Sequence, residues 1–224
     1  AAADEVDLYR WIFNIDGDIY DSFVTTLDET PVEGTLTDGL GSLTWSTTDV
    51  GAHSFIGYFD CDLLIPEETF PYWENEYGMQ VGTAEGGQIW EVDEPYLTGD
   101  IVDNVLAGTL DNSVRNAFSI GDDPFDVAVA LGWEFELEAG QEALVTLHLA
   151  ESRPEDADGL GFYLMQTDPY GISPGYSMYF YSTLEVSQAQ SLTLAGPVVP
   201  EPATVVLTGL GLAGLAVSRR VRRR

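Results

Sequence analysis

The feature that most constrains the fold is a series of short apolar runs that end at glycine, proline or aspartate. Tyr9, Trp11, Phe13 and Ile15 occupy every second position near the N-terminus, and residues 143–150 repeat this alternation. A period of two residues is that of a half-buried β-strand. Such runs recur at turn-marked intervals, and no convincing amphipathic helix precedes the C-terminal region. The pattern therefore predicts an all-β domain, an antiparallel β-sandwich of the jelly-roll or immunoglobulin-like arrangement.

The clearest strands lie in the second half of the chain, and their apolar residues are expected to fill the core. These residues are Trp133, Phe135, Leu137, Val145, Leu147, Leu149, Phe162, Leu164, Tyr179 and Tyr181. Cys61 is the single cysteine, so it forms no disulfide within the chain, and we expect it to be buried. Residues 101–110 are weakly periodic and fit either a strand or a helical turn.

The composition is strongly acidic and contains no lysine. The chain has 38 Asp and Glu residues against 8 arginines, for a formal net charge of −30. Nucleic acids and anionic membrane surfaces both require positive charge in a partner, so the part of the chain before the C-terminal region is not expected to bind either. Divalent cations, basic partners and a salty medium stay open. Adaptation to high salt explains the same acidity as well as cation binding does.

Carboxylates gather at several predicted turns, where they could ligate calcium through hard oxygen atoms. The candidate metal ligands are Asp16, Asp18, Asp21, Asp122, Asp123, Asp156 and Asp158. Asp60 with Asp62 forms a further pair, and Asp126 follows the Asp122–Asp123 pair. None of these groups has EF-hand spacing, and chance clusters are expected in so acidic a chain. Calcium is thus a candidate ligand, while no cofactor is expected to be required.

The irregular middle of the chain contains several aromatic residues that could hold a sugar ring. The candidates for a carbohydrate site are Tyr72, Trp73, Tyr77 and Trp90. Exposed aromatic faces beside acids bind carbohydrate in many sandwich modules, but these rings could equally close one end of the core. His53 and His148 lie in separate predicted strands without a Gly-x-Ser-x-Gly sequence, so a catalytic triad is unsupported. We expect no enzymatic activity; the alternative is a carbohydrate-binding module or carbohydrate-active enzyme.

The C-terminal region combines three elements in order. A Pro-Glu-Pro turn comes first, within the motif formed by Val199, Pro200, Glu201, Pro202, Ala203 and Thr204. Residues 205–217 are apolar and predict a short transmembrane helix, and residues 218–224 predict a basic cytoplasmic tail. The residues that would orient the helix by the positive-inside rule are Arg219, Arg220, Arg222, Arg223 and Arg224. As a helix, residues 203–217 would span about 22 Å, short of a hydrocarbon core of about 30 Å, which suits a temporary anchor.

This order of motif, helix and arginines resembles the PEP-CTERM sorting signal of exported proteins in exopolysaccharide-producing Gram-negative bacteria. The resemblance implies an inner-membrane anchor before processing, and an exosortase that cuts at or near the Pro-Glu-Pro. Residues 126–133 and 138–141 also look like segments of the all-β domains that often precede such tails. Ala1 to Asp4 look like the flank of a signal-peptidase site, so we expect the numbering to start at a processed end.

These observations predict a domain organisation and a cellular role. Residues 1–196 are expected to form the acidic β-sandwich, and residues 197–204 the sorting motif with its linker. The role that we predict is that of a structural or adhesive protein of the cell surface or of a biofilm matrix. The resemblance implies an exosortase as a partner, and exopolysaccharide and other matrix proteins are further candidate partners.

Overall fold

The fold is seen in a computed structural model that describes residues 6–37, 39–63, 76–96, 98–115, 126–154, 161–168 and 176–189. The chain divides into residues 1–189 and residues 190–224, and every described residue belongs to the first part. The predicted transmembrane helix at 205–217, the basic tail at 218–224 and the domain boundary at 196 lie outside the described residues. They stay predictions.

The first sheet has six strands in the order β2-β1-β5-β9-β7-β8. Its strands are β1 (Val6–Ile15), β2 (Asp18–Asp21), β5 (Gly51–Leu63), β7 (Gln88–Asp93), β8 (Ser113–Val114) and β9 (Ala128–Leu137). Neighbouring strands are antiparallel except for β7 and β8, which are parallel. The longest strands, β1, β5 and β9, lie side by side, so the face that they present is continuous.

The second sheet also has six strands, in the order β3-β4-β10-β12-β11-β6, and its pairs are antiparallel. Its strands are β3 (Glu33–Thr37), β4 (Leu40–Thr47), β6 (Tyr77–Gly82), β10 (Gln141–Ala150), β11 (Phe162–Asp168) and β12 (Tyr176–Gln188). Two helical segments complete the described fold: a 3-10 turn at Leu27–Glu29 and the helix α1 at Ile101–Ala107.

The inner faces of the two sheets share one hydrophobic core. Phe13, Phe55 and Phe59 from the first sheet belong to the same buried cluster as Leu147 and Phe180 from the second. Two antiparallel-rich sheets with a common core are consistent with a β-sandwich, and the all-β prediction is confirmed. The finer jelly-roll or immunoglobulin-like arrangement stays a prediction.

Most of the predicted core residues lie in this cluster. The buried ones are Trp133, Leu137, Val145, Leu147, Leu149, Phe162 and Leu164. Phe135 is partly buried and packs against the cluster. Cys61 is also fully buried, at 0 % exposure, as expected. An alternation that runs through a whole strand is therefore enough to identify its inward face.

The prediction that Tyr179 and Tyr181 fill the core is wrong by one residue. Phe180 pairs with Leu149 of β10 and with Leu164 of β11, so it lies on the inner face. Successive side chains of a strand point to opposite faces, which puts both tyrosines on the other side. Both are only half-buried. β12 has aromatic residues at neighbouring positions, so its inward face is set by the pairing and not by its own sequence.

A bulge in β1 changes which of its residues face the core. The register against β5 shifts between Leu8 and Arg10, and Tyr9 at the shift is 54 % exposed. After the bulge the strand continues regularly with Trp11 and Phe13 buried on the inner face. Arg10 lies on the outer face of the first sheet, where its partner in register is Asp60.

Helix α1 covers part of the outer face of the first sheet, and so resolves the choice left open for residues 101–110. Ile101 and Val105 are fully buried and join a second hydrophobic cluster with Ile12 and Tyr58. Ala128 and Ala130 of β9 belong to it too, and such small side chains leave room for the helix.

Hydrogen bonding holds the C-terminal end of α1 on the sheet. The Asn14 amide nitrogen of β1 donates to the Val105 carbonyl at 2.7 Å. The helix ends at Gly108, whose φ of 73° is the left-handed conformation that glycine adopts readily. Asp60 of β5 and Asp93 of β7 also lie on this outer face, as the partners of Ala128.

Candidate functional site

The outer face of the first sheet brings together acids that are far apart in the sequence. In the ladder, Asp60 of β5 and Asp93 of β7 are both partners of Ala128 on β9, one on each side. Among the residues that the structure describes, two groups result, in each of which carboxylate oxygens lie within 4.8 Å of one another. We call Asp60, Asp62 and Asp126 the Asp60 cluster.

The second group, which we call the Glu91 cluster, is formed by Glu91, Asp93 and Asp100. Glu91 and Asp93 alternate on β7 with the buried Trp90 and Val92, so both acids point to the outer face. Asp100 immediately precedes α1. The two clusters are therefore neighbours on one surface, and their surroundings can be compared directly.

The Asp60 cluster combines a buried carboxylate with two that reach the surface. Asp60 is 0 % exposed, while Asp62 and Asp126 are half-buried. The Tyr96 hydroxyl donates to Asp60 Oδ2 at 2.5 Å. Burial, and then this bond to Asp60, raise the pKa of Tyr96 above its usual value, so the hydroxyl stays a donor at neutral pH.

Tyr58 lies next to Asp60 on the outer face of the first sheet. It is two residues before Asp60 on β5, on the same face, and is 0 % exposed. Within the described residues, its hydroxyl has no hydrogen-bond partner. Burial raises the pKa of Tyr58, and the negative charges of Asp60 and Asp126 raise it further. The residue next to Asp60 on this face therefore carries a buried hydroxyl that makes no hydrogen bond within the described part of the chain.

Arg10, the ladder partner of Asp60, is held by Asp21. Its Nε and Nη2 atoms donate to the two oxygens of Asp21, at 3.2 and 2.6 Å, and its guanidinium lies 4.5 Å from the centre of the Phe23 ring. Burial alone would raise the pKa of Asp21, but the hydrogen bonds from Arg10 and the Phe23 amide outweigh it, and the pKa falls below its usual value. The positive charge of Arg10 is therefore paired with Asp21 of the edge strand β2.

The Glu91 cluster is surrounded by hydrogen-bond donors. The Asn104 side-chain nitrogen of α1 lies 3.1 Å from each carboxylate oxygen of Glu91, and the Asp111 amide donates at 3.1 Å. Burial raises the pKa of Glu91 and of Asp93, despite these and similar bonds. The helix α1 therefore provides polar contacts to this cluster as well as apolar cover for the sheet.

Arg115 supplies positive charge to the Glu91 cluster. It forms an ion pair with Asp93 at 3.6 Å, and further ion pairs with Asp100 and Asp111. Its hydrogen bond to Asp100 lowers the pKa of that carboxyl below the usual value. The guanidinium thus bridges several acids, a position that a metal ion could otherwise occupy.

The predicted ligands near the N-terminus are not brought together. Asp16 Oδ1 accepts from the Ser54 amide at 2.7 Å, and Asp16 Oδ2 lies 2.8 Å from His53 Nδ1. Asp21 binds Arg10 instead, and Asp18 is exposed. These acids serve separate structural contacts and, in the part of the chain that is described, form no common group.

The remaining predicted metal ligands lie outside the described residues: Asp122, Asp123, Asp156 and Asp158. The pairing of β5 with β9 joins the Asp60–Asp62 pair to Asp126, two groups that the sequence analysis treated separately. The Glu91 cluster was missed. Its one local signal was the alternation of acids with apolar residues along β7.

The aromatic residues proposed to bind sugar are divided by the structure. Tyr77 and Trp90 are only 6 % and 9 % exposed, and the Trp90 ring packs 5.5 Å from that of Phe162. These two rings close the core, which is contrary to a sugar-binding role for them, because their faces are covered. Tyr72 and Trp73 lie outside the described residues, and the prediction for them stays a prediction.

The two histidines lie on different sheets, each beside its own partner. His53 of β5 contacts Asp16, and His148 Nδ1 of β10 lies 2.7 Å from Ser42 Oγ. The His148 ring also stacks on Tyr181, with ring centres 4.5 Å apart. Both contacts join neighbouring elements of the fold, and the structure gives the histidines no common site.

The helices among the described residues include none that is long and apolar enough to cross a membrane.

Known proteins add one finding, which concerns the C-terminus of this acidic two-sheet protein. Residues 198–223 match the PEP-CTERM protein-sorting motif, which confirms the resemblance. The matched range contains the predicted motif from Val199 to Thr204 and the arginines up to Arg223. The motif implies export, a membrane-anchored C-terminal tail before processing, and processing by an exosortase. The chain matches neither a curated protein nor a solved structure.

Proposed function

We propose that this protein is a structural or adhesive component of the cell surface or of the extracellular polysaccharide matrix. The observation that carries the proposal is the sorting motif at residues 198–223, which directs the chain out of the cell. The two-sheet domain is then the part that is retained, and the C-terminal region is the part that an exosortase removes. Exopolysaccharide and other matrix proteins are its proposed partners.

The polar contacts between the sheets support a durable extracellular domain. The Trp133 indole nitrogen of the first sheet donates to Ser182 Oγ of the second at 3.0 Å, and Gln88 Nε2 donates to the same oxygen at 3.2 Å. Gln166 Nε2 donates across the sheets to the Cys61 carbonyl at 2.5 Å. Buried hydrogen bonds of this kind fix the relative position of packed layers. The domain therefore has specific contacts between its sheets without an internal disulfide.

The sorting step is tested by the intact mass of the protein recovered from its native source. We expect loss of everything after about Pro200 to Pro202, with or without an added group. Replacing Pro200, Glu201 and Pro202 together by alanine should preserve the full-length mass. The matched control is Pro197→Ala, just before the matched range, which should still be processed. A full-length wild-type mass would contradict processing and leave a permanent anchor.

The molecular role is tested by a glycan array combined with a turnover assay on the same saccharides. The structural role predicts neither enzymatic turnover nor a narrow saccharide preference. Selective binding without hydrolysis would point instead to a carbohydrate-binding module, and turnover would point to an enzyme. Replacing Tyr72 and Trp73 by alanine would then show whether these two rings carry the binding.

A further inference from the structure

We propose that the Asp60 cluster, together with the hydroxyl groups of Tyr58 and Tyr96, forms a calcium-binding site on the outer face of the first sheet. The site goes beyond the proposed surface role and does not depend on it. Its ligands come from β5 and from the residues that lead into β9, so calcium would link two neighbouring strands at one end of the sheet.

The carboxylate geometry suits one calcium ion. Ca²⁺ binds oxygen ligands at about 2.3–2.6 Å, so two oxygens on one ion lie at most about 5 Å apart. One oxygen from each of Asp60, Asp62 and Asp126 lies within 4.8 Å of the others. Mg²⁺ requires shorter bonds of about 2.0–2.1 Å and near-octahedral geometry. The spacing therefore allows calcium to be shared by all three side chains.

Tyr58 provides a second and independent observation. A buried hydroxyl that makes no hydrogen bond costs about 1–3 kcal/mol, so such groups are rare in folded proteins. The Tyr58 hydroxyl is buried, belongs to the residue next to Asp60 on the same face of β5, and has no partner among the described residues. Calcium carries water in most sites that lack a full set of protein ligands. A water on the ion would donate to the Tyr58 oxygen and satisfy it.

The two arginines on this face bind different acids. The Glu91 cluster, on the same face, is bridged by Arg115. Arg10, the ladder partner of Asp60, donates to Asp21 through both Nε and Nη2. Asp62 and Asp126 are half-buried, so an ion can reach them from solvent.

The test is calorimetric titration of the full chain with CaCl₂ alone, at constant ionic strength. We expect one saturable site with a dissociation constant at or below about 1 mM, the range of extracellular calcium modules. Asp62→Asn and Asp126→Asn should each weaken binding at least about tenfold, because each removes one charged ligand. Tyr58→Phe keeps the ring and removes only the hydroxyl, so it should weaken binding by a smaller factor.

The matched control is Glu134→Gln, which removes one exposed negative charge from β9 outside the cluster and should leave the affinity unchanged. A second readout is luminescence of Tb³⁺ excited through tyrosine, which should be lost in the same variants that lose calcium. Far-UV circular dichroism shows which variants fold, and the two aspartate variants give independent measurements.

The proposal is overturned if both aspartate variants bind calcium as tightly as the wild type, or if Glu134→Gln weakens binding equally. It is also overturned if titrating the wild-type protein with NaCl at matched ionic strength gives the same heats as CaCl₂, since general charge screening would then account for them. Binding of Mg²⁺ as tight as that of Ca²⁺ would contradict the assignment of calcium.

Discussion

The two acidic clusters lie on one face of one sheet, on either side of Ala128, but they differ in what surrounds them. At the Glu91 cluster, Arg115 forms ion pairs with the acids, and Glu91 accepts hydrogen bonds from the side chain of Asn104 in α1. The Asp60 cluster has tyrosine hydroxyls around it, while Arg10 pairs with Asp21. Neighbouring carboxylates repel one another unless a cation or hydrogen-bond donors stabilise them. The comparison teaches that the same acidity is structural at one position and a candidate ion site at the other.

The largest expected effect is stabilisation of the wild-type protein by calcium. A ligand at about 100 times its dissociation constant stabilises the folded state by about 2.7 kcal/mol. For a chain of this size that corresponds to a rise in thermal midpoint of roughly 5–10 °C. Differential scanning calorimetry should show this rise, and a chelator should reverse it.

The same measurement separates the two clusters. Asp62→Asn, which should bind calcium at least about tenfold more weakly, should lower the calcium-dependent rise to about half or less. Asp93→Asn should retain the full rise, because Arg115 already pairs with the acids of the Glu91 cluster. An equal rise with NaCl at matched ionic strength would mean that the acidity is adaptation to salt, and the distinction between the clusters would disappear.

The next largest effect is expected at Asn104, which holds Glu91. Asn104→Ala removes the side-chain bonds to Glu91 and Asp100, and bonds to charged groups contribute about 1.5–3 kcal/mol. We expect the free energy of unfolding in urea to fall by about that amount. The control Asp103→Ala changes the exposed side of α1 and should stay within about 0.5 kcal/mol of the wild type. Equal effects of the two variants would show that the helix, not the polar contacts, stabilises this region.

The raised pKa values in the Glu91 cluster should determine the direction in which stability changes with pH. Burial raises the pKa of Glu91 and Asp93 in the folded state. Above the unfolded values, near about 4, the folded state then binds more protons than the unfolded state, so stability falls as pH rises through this interval. The acids and bases that face these carboxyls are Asp100, Asp111 and Arg115.

Glu91→Gln should therefore flatten the decline in unfolding free energy above about pH 4, measured by urea unfolding at a series of pH values. The buried Glu76, whose pKa is also raised, contributes in both proteins, so the difference between them isolates Glu91. Asp100 affects stability in the opposite direction, because its pKa is lowered in the folded state. The stability that its carboxylate contributes is lost only as pH falls through that lowered pKa. Identical slopes in the two proteins would contradict the raised pKa.

The smallest effect is expected from removing the arginine of the Glu91 cluster. Arg115→Gln leaves Asp93, Asp100 and Asp111 without their shared cation. A second, weaker calcium site should then appear beside the first in the calorimetric titration, with a dissociation constant of about 1 mM or above. Unchanged stoichiometry would show that Arg115 does not occupy the place of a metal ion.

The alternation of apolar and polar residues identified the inward residues of the regular strands. It failed where both faces of a strand carry apolar or aromatic residues. In β10 every second residue is apolar, and Val145, Leu147 and Leu149 are buried as expected. In β12 aromatic residues occur in succession, and only the pairing with β10 and β11 places Phe180 inside. The bulge beside Tyr9 and the helix over residues 101–107 also depend on packing, which local sequence does not specify.

The candidate site shows the same division. Asp60 with Asp62, and Asp126, could be recognised as acidic groups in the sequence, yet nothing local indicates that they meet. Their proximity results from the antiparallel pairing of β5 with β9. Tyr58 and Tyr96 gave no signal of their own, because a tyrosine in a strand or loop is usually part of the packing.

The sequence by itself determined the export signal, the all-β character and the acidity, because motif, period and charge are properties of consecutive residues. Only the tertiary structure decided which carboxylates share a surface and which of them pair with Arg115. It also placed the Asp60 cluster on the same face as the Tyr58 hydroxyl, which is buried and has no partner among the described residues. The physical reason is that strand pairing joins residues distant along the chain, whereas a hydrogen bond or an ion pair forms only between atoms within about 4 Å of each other.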